Sequence, residues 1–228
     1  MENFTVVFDL DGTLVDTAPD LLGATRHVLS LMGIASFDEA AVRTEISNGA
    51  KAMLAAALQS AGRTEITDVD LDRMFTEFID HYAARISEES KPFPGVEGTL
   101  RALNAAKARV AVCTNKREDL SRKLLKELGL HPLFHAVVGR DTLPVHKPDP
   151  GHLIGTIILA DGNPGRAVMV GDSRTDVDTA KRAGIPVVGC TFGYSPVPMQ
   201  ELAPDAIMSS YGELHEAIQT ATRAVATN

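Results

Sequence analysis

Thr5-Val6-Val7-Phe8-Asp9-Leu10-Asp11-Gly12-Thr13 decides the reading of this chain. The strand-forming run that ends at Phe8 feeds directly into two carboxylates separated by one leucine. Asp11-Gly12 is a turn pair, so the simplest role for the aspartates is to end a strand. Charges at the end of an apolar strand are costly unless something is bound there, so the rest of the chain must show what that is.

After this strand the pattern turns helical from about Ala18 to Ile86. Leu21, Leu22, Val28, Leu29 and Met32 share one helix face, and Ser36 with Glu39 has the spacing of a capping box with Ser36 at the N-cap. Ala50 to Ala61 is alanine-rich. Leu71, Met74, Phe75, Phe78, Ile79, Tyr82 and Ile86 form an amphipathic stripe read as the core of a small helical module. From Pro92 onward strand-like and helix-like segments alternate. Strands are read at 109–113, 136–138, 167–170, 186–189 and 204–208, and helices between and after them, the one before the third of these from His152 to Ala160. Such alternation predicts an α/β fold, a Rossmann-like three-layer core around a parallel sheet, with an inserted α-helical cap domain. The expected division is 1–16 and 88–228 for the catalytic core and 17–87 for the cap.

Composition bounds the function. The 228 residues are 44% hydrophobic and 23% charged, with a formal net charge of -8. That balance argues against nucleic acid or an anionic membrane as partner. No apolar run reaches the roughly 20 residues that span a bilayer, and no secretory signal is visible, so a cytoplasmic protein is expected, monomeric or homodimeric. Cys113 and Cys190 are expected to be buried free thiols in a reducing compartment.

Parallel sheets place their ligand sites outside the carboxyl ends of the strands. Asp9, Asp11, Gly12 and Thr13 follow the first strand; Thr114, Asn115 and Lys116 follow the second; Gly171, Asp172, Ser173 and Asp176 follow the strand at 167–170. Lys147 stands apart, close to Pro148 and Pro150. Asp9, Asp11 and Asp172 are hard oxygen donors of the kind Mg²⁺ takes, and without a cation they would repel one another. Lys147 offers a point charge for phosphate, and the Thr114 hydroxyl, the Asn115 side chain and the backbone N–H groups around Gly12 and Thr13 can hold the remaining oxygens. No serine–histidine or cysteine–histidine pair stands out, so a carboxylate nucleophile forming an aspartyl-phosphate is the natural covalent route.

Asp9-Leu10-Asp11-Gly12-Thr13, Thr114, Lys147 and Gly171-Asp172-Ser173-Arg174-Thr175-Asp176 resemble, in order, the four motifs of the haloacid dehalogenase-like phosphatases. The resemblance implies a nucleophile at Asp9, a general acid and base at Asp11 whose carbonyl reaches the metal, and phosphoryl-binding residues at Thr114 and Lys147. It further implies a metal ligand at Asp172, with Asp176 and Ser173 in support. The chain also resembles the phosphoglycolate phosphatases within that superfamily, through residues 9–20, Asn48-Gly49-Ala50, Pro94-Gly95-Val96, Thr114-Asn115-Lys116 and His146-Lys147-Pro148. It departs from them at Ile46-Ser47, where many members carry a glycine before the asparagine, and at Arg117, where proline often stands. A small phosphorylated metabolite, 2-phosphoglycolate, is the substrate so implied, with Asn48, Gly49 and Lys51 as cap candidates for specificity.

Each motif has a plainer reading. Asp9 and Asp11 alone are turn formers, Thr114 and Asn115 alone cap a helix, and Lys147 alone is a surface lysine. Only their joint occurrence at the strand ends of one sheet favours chemistry. The rivals are a sugar phosphomutase, a pyrophosphatase or a nucleotidase on the same core, and a receiver-like signalling domain that uses its aspartates as a switch. Against the last stand the inserted helices and the paired aspartates on the first strand.

Overall fold

A computed structural model describes residues 2–63 and 67–226. The chain forms two compact units, one of residues 1–16 and 92–228 and one of residues 17–91.

The first unit is built on six parallel strands, β1 (Thr5–Phe8), β2 (Arg109–Cys113), β3 (Ala136–Val138), β4 (Ala167–Gly171), β5 (Val187–Cys190) and β6 (Ala206–Met208). Their order across the sheet is β3-β2-β1-β4-β5-β6. β1 is therefore central, with Val7 level with Ala111 on one side and Met169 on the other. Successive residues of a strand face opposite sides. Val7, Ala111, Cys113 and Met169 join Leu153, Ile157, Val177 and Ala180 of two helices in one core layer. Val6, Phe8, Val110, Val112, Val168 and Val170, on the other face, have no exposed area either. Burial on both faces is why these strands read as unbroken apolar runs.

The strand order reverses direction between β1 and β4. Open α/β sheets bind ligands at such a switch point, outside the carboxyl ends of the two strands. Asp9 follows β1 there and Asp172 follows β4.

The second unit contains four α-helices among its described residues, α1 (Ala18–Leu31), α2 (Glu39–Arg43), α3 (Ala50–Ser60) and α4 (Asp68–Ala84). Phe78 and Tyr82 of the predicted stripe are buried together with Leu29, Leu54 and Leu58. The cap of α2 differs from expectation. Asp38, not Ser36, is the N-cap, and its carboxylate accepts from the N–H groups of Ala40 and Ala41. Its anionic side chain is adjacent to the first helical residue and complements the helix dipole. In the first unit α5 (Val96–Ala105), α6 (Glu118–Glu127), α7 (Pro150–Leu159), α8 (Arg174–Ala183), α9 (Met199–Leu202) and α10 (Leu214–Ala226) complete the fold. α7 starts two residues before His152, because Asp149 caps it and Pro150 suits the first helical position. No helix among the described residues is long and apolar enough to cross a membrane.

Glu89 and Ser90 belong with the helical unit, past the expected boundary at 87, and the reason is Asp20. Its buried carboxylate accepts from the N–H of Glu89 (3.0 Å) and from the N–H and hydroxyl of Ser90 (2.8 and 2.6 Å). This ties the start of α1 to the end of the same unit. Removing an ionised acceptor from buried donors costs about 2 kcal/mol or more. Asp20→Ala should therefore destabilise the helical unit by that amount and accelerate hydrogen exchange at the Glu89 and Ser90 amides. Unchanged exchange at both amides would contradict this role.

Candidate active site

The carboxyl ends of β1 and β4 gather a cluster of charged side chains that lie almost entirely out of water. Asp9 is 6% exposed, Lys147 2%, and Asp172 and Asp176 have no exposed area. The Lys147 ammonium stands 3.0 Å from Asp9 Oδ1 and 2.5 Å from Asp176 Oδ1. Burial disfavours that ammonium, but the Asp176 and Asp9 carboxylates more than offset this and hold its pKa above the ordinary lysine value. The Lys147–Pro148 peptide is cis.

Asp176 is set by the first turn of α8. Ser173 and Asp176 form a reciprocal capping box: the Ser173 N–H and hydroxyl donate to Asp176 Oδ2 (3.1 and 2.6 Å), and the Ser173 hydroxyl accepts from the Asp176 N–H. One carboxylate oxygen is thus spent on the cap and the other on Lys147. Asp172 accepts from the Thr13 hydroxyl (2.8 Å) and from the Tyr194 N–H (2.8 Å). Gly12 makes room for it. A Cβ at Gly12 would lie 2.5 Å from Asp172 Oδ2, and its φ of +81° is one that side-chain-bearing residues rarely adopt.

One oxygen from each of Asp9, Asp172 and Asp176 lies within 4.8 Å of the others, a set able to hold a metal ion. The charge balance fits a divalent cation. The carboxylates of Asp9, Asp172 and Asp176 outnumber the Lys147 ammonium group between them, and the excess equals the charge of one such ion. Without it Asp9 and Asp172 resist ionisation. Burial pushes Asp9 up to about 7 against the attraction of Lys147, with Asp176 and Asp11 adding repulsion. Burial and repulsion from Asp176 and Asp9 push Asp172 up to about 8.

The Asp11 carboxylate is not part of this cluster. It turns toward Lys116, whose ammonium is 3.1 and 3.3 Å from its two oxygens. The two aspartates of the opening motif therefore occupy different electrostatic surroundings, one beside Lys147 and the other beside Lys116.

Several groups expected to face a phosphate are engaged within the fold. The Gly12 N–H donates to the Val15 carbonyl (3.0 Å) and closes a turn. The Thr13 hydroxyl is on Asp172. The Asn115 amide donates to the Lys147 carbonyl (3.0 Å), while its Oδ1 is buried with no hydrogen-bond partner among the described residues. Thr114 is buried at the end of β2, one strand from Asp9, and its hydroxyl accepts from the Lys116 N–H. In the helical unit, Asn48 donates to Glu45 and Gly49 precedes α3. Lys51 pairs with Asp72 on the surface.

Three features of the site lie beyond the strand-end residues legible in the sequence. Tyr194 follows β5, and its hydroxyl also donates to Asp16 Oδ1 (2.6 Å). Its signal in the sequence is its place in Phe192-Gly193-Tyr194, just after an apolar strand. Tyr211 donates to the Thr13 carbonyl (2.8 Å) from far along the chain, with no local signal. A cysteine–histidine pair does exist: Cys113 Sγ is 3.3 Å from His152 Nδ1, and His152 Nε2 is 3.0 Å from the Gly139 carbonyl oxygen. Burial pushes the thiol up to about 12 and the imidazole down to about 4, so both are neutral and the pair is not a nucleophilic dyad. Cys113 and Cys190 are buried and free, as expected.

Comparisons with known proteins agree with this architecture. Residues 6–190 match the family model of the haloacid dehalogenase-like hydrolases. The phosphoglycolate phosphatase of Mesorhizobium japonicum is 44% identical over 92% of both chains. That of Agrobacterium fabrum is 42% identical over 93% of this chain and 91% of its own. The crystal structure of a predicted phosphoglycolate phosphatase from Haemophilus somnus is 31% identical, with a TM-score of 0.88 over 96% of this chain and 100% of that one. A buried carboxylate cluster at the switch point of a parallel sheet, and a match running from the first strand to the fifth, place this chain in the haloacid dehalogenase-like hydrolase family.

Proposed function

We propose that this hydrolase is a Mg²⁺-dependent phosphatase of small phosphomonoesters that acts through an aspartyl-phosphate on Asp9, with 2-phosphoglycolate as its substrate. The observation that carries the reading is the separation of Asp9 and Asp11. The first carboxylate is buried beside Lys147, where an anionic ester can be held, and the second, two residues on, faces Lys116 at a less buried position. The names of the relatives support the choice of ester.

Asp9, Asp172 and the Asp11 backbone carbonyl would hold the metal, with Asp176 beside them. When bound, Mg²⁺ supplies positive charge against the repulsion between an attacking carboxylate and phosphoryl oxygens. Lys147 adds a second positive charge on the same side and, with Thr114, holds the phosphoryl group. An Asp9 oxygen bonds to phosphorus as the bond to the leaving oxygen breaks, and Asp11 gives that oxygen its proton. Asp11, now ionised, takes a proton from water as the water oxygen bonds to phosphorus and the bond to Asp9 breaks. Inorganic phosphate leaves and both aspartates return to their starting forms. A residue that serves first as acid and then as base needs a titratable side chain, which the aspartate at position 11 supplies.

A panel of small phosphate esters assayed with and without Mg²⁺ should show metal-dependent phosphate release, with 2-phosphoglycolate among the best. No release from any ester would refute the reading, and an isomeric sugar phosphate in place of free phosphate would indicate a mutase. Asp9→Asn should lower turnover by about ten-thousandfold or more, as loss of a nucleophile does, with the fold retained by circular dichroism.

The raised carboxylates also fix the sign of a pH effect. An unfolded aspartate ionises near pH 4, but in the folded protein Asp9 and Asp172 do so only at about 7 and about 8. Without metal, these groups thus favour the folded state least once pH has risen through those values. Metal binds the ionised pair and must displace its protons at lower pH. The rise in Tm produced by Mg²⁺ over a chelator control should therefore grow from about pH 6 to about pH 8. An increment that is flat or falls across that range would contradict it.

A further inference from the structure

Lys116 has no step in the chemistry proposed for Asp9 and Asp11, yet it is held as firmly as the residues that do. Its side chain is 6% exposed, and its ammonium reaches both Asp11 oxygens. The backbone is fixed as well. Its N–H donates to Thr114 Oγ1 (3.2 Å), and its carbonyl accepts from the Arg140 N–H (3.0 Å). Gly139 packs so closely that a Cβ there would lie 2.7 Å from the Lys116 carbonyl oxygen. A solvated surface lysine needs none of this support.

The two lysines divide the site. Lys147 stands on the carboxylate that attacks phosphorus, and Lys116 on the carboxylate that protonates the leaving oxygen. In-line displacement places the leaving oxygen on the far side of phosphorus from Asp9. To receive its proton, that oxygen must come within hydrogen-bond distance of Asp11, and the Lys116 nitrogen is already within such distance of the same carboxylate. The leaving oxygen and the Lys116 ammonium are then within about 6 Å of one another, the length of two hydrogen bonds. A group attached to the leaving oxygen through a single carbon falls inside that span. The phosphoryl group, at the other end, does not compete for it.

We propose that Lys116 is the specificity-determining residue that recognises a carboxylate on the leaving group, so that the site selects phosphate esters of 2-hydroxy acids over esters of neutral alcohols. The inference rests on the reading of Asp9 and Asp11 as the phosphatase pair. It assigns the choice of leaving group to the first unit itself, from a residue two positions after Thr114, which the same reading places on the phosphoryl group. If Lys116 only positioned Asp11, its loss would slow every ester alike. Recognition of a carboxylate makes the loss depend on the ester.

Ethyl phosphate and 2-phosphoglycolate share the same leaving oxygen and first carbon and differ by a methyl group in place of a carboxylate. Their kcat/KM values are compared for the full-length wild type, Lys116→Met and Lys116→Arg with Mg²⁺. Lys116→Met should lose about 10- to 100-fold more on 2-phosphoglycolate than on ethyl phosphate, the range expected for one charge-assisted contact. Lys116→Arg should restore part of that difference. Should Lys116→Met fail to fold, Lys116→Gln gives the same comparison without the charge. An equal fall on both esters would overturn the proposal while leaving the phosphatase reading in place. Wild-type protein that releases phosphate from neither ester would overturn the choice of 2-phosphoglycolate as substrate instead, and this proposal with it.

Discussion

Lys147, buried between Asp9 and Asp176 at the carboxyl ends of β1 and β4, is the contact on which the rest of the site depends. Taking these charges out of water is costly, and breaking such a group by removing one partner leaves an uncompensated buried charge. The surrounding structure can be read as the means of holding it. The capping box of α8 sets Asp176, and the Asn115 amide and the Lys147 carbonyl tie the loop after β2 to the segment that carries the lysine. Gly12 leaves space for Asp172, which Thr13 and Tyr194 then orient.

The cluster is not electrically complete. Lys147 pairs with both Asp9 and Asp176, but the donors to Asp172, the Thr13 hydroxyl and the Tyr194 N–H, are neutral, and burial pushes it up to about 8. Three carboxylates this near one another in an interior position are a set able to hold a cation, whose charge would relieve their repulsion. Asp11 is spared this crowding by its turn toward Lys116. A carboxylate outside the cluster is suited to giving and taking a proton, while one inside it is suited to bonding to phosphorus. Two aspartates two residues apart thus have different surroundings, and the proposed function gives them separate tasks accordingly.

Much of this was legible in the sequence because a parallel sheet imposes a simple rule. Polar residues placed directly after apolar strands converge at one end, which brought out Asp9, Asp11, Thr114, Asp172 and Asp176 from a chain met without context. The helical insertion was legible from its change of period, and its four helices from their stripes and alanine content. What sequence spacing does not encode is which hydrogen bond a polar group finally makes. The Gly12 N–H and the Asn115 side chain were plausible phosphate-binding groups; the first closes a turn onto the Val15 carbonyl and the amide of the second donates to the Lys147 carbonyl. Contacts of great sequence separation left no local trace. Tyr211 reaches Thr13, and His152 reaches Cys113, through packing alone. Lys116 was visible as part of the Thr114-Asn115-Lys116 run, but only its pairing with Asp11 gave it a task.

Direct detection of the phosphoenzyme tests the central claim, that Asp9 carries the phosphoryl group. Asp11→Asn with p-nitrophenyl phosphate is the suitable combination, because that leaving group departs without a proton while the second step lacks its base. Acid quenching followed by peptide mass analysis should find one phosphoryl group on the peptide containing Asp9, accumulating as nitrophenol is released. Wild-type rates of turnover without any adduct, or a phosphoryl group on a residue other than Asp9, would contradict it.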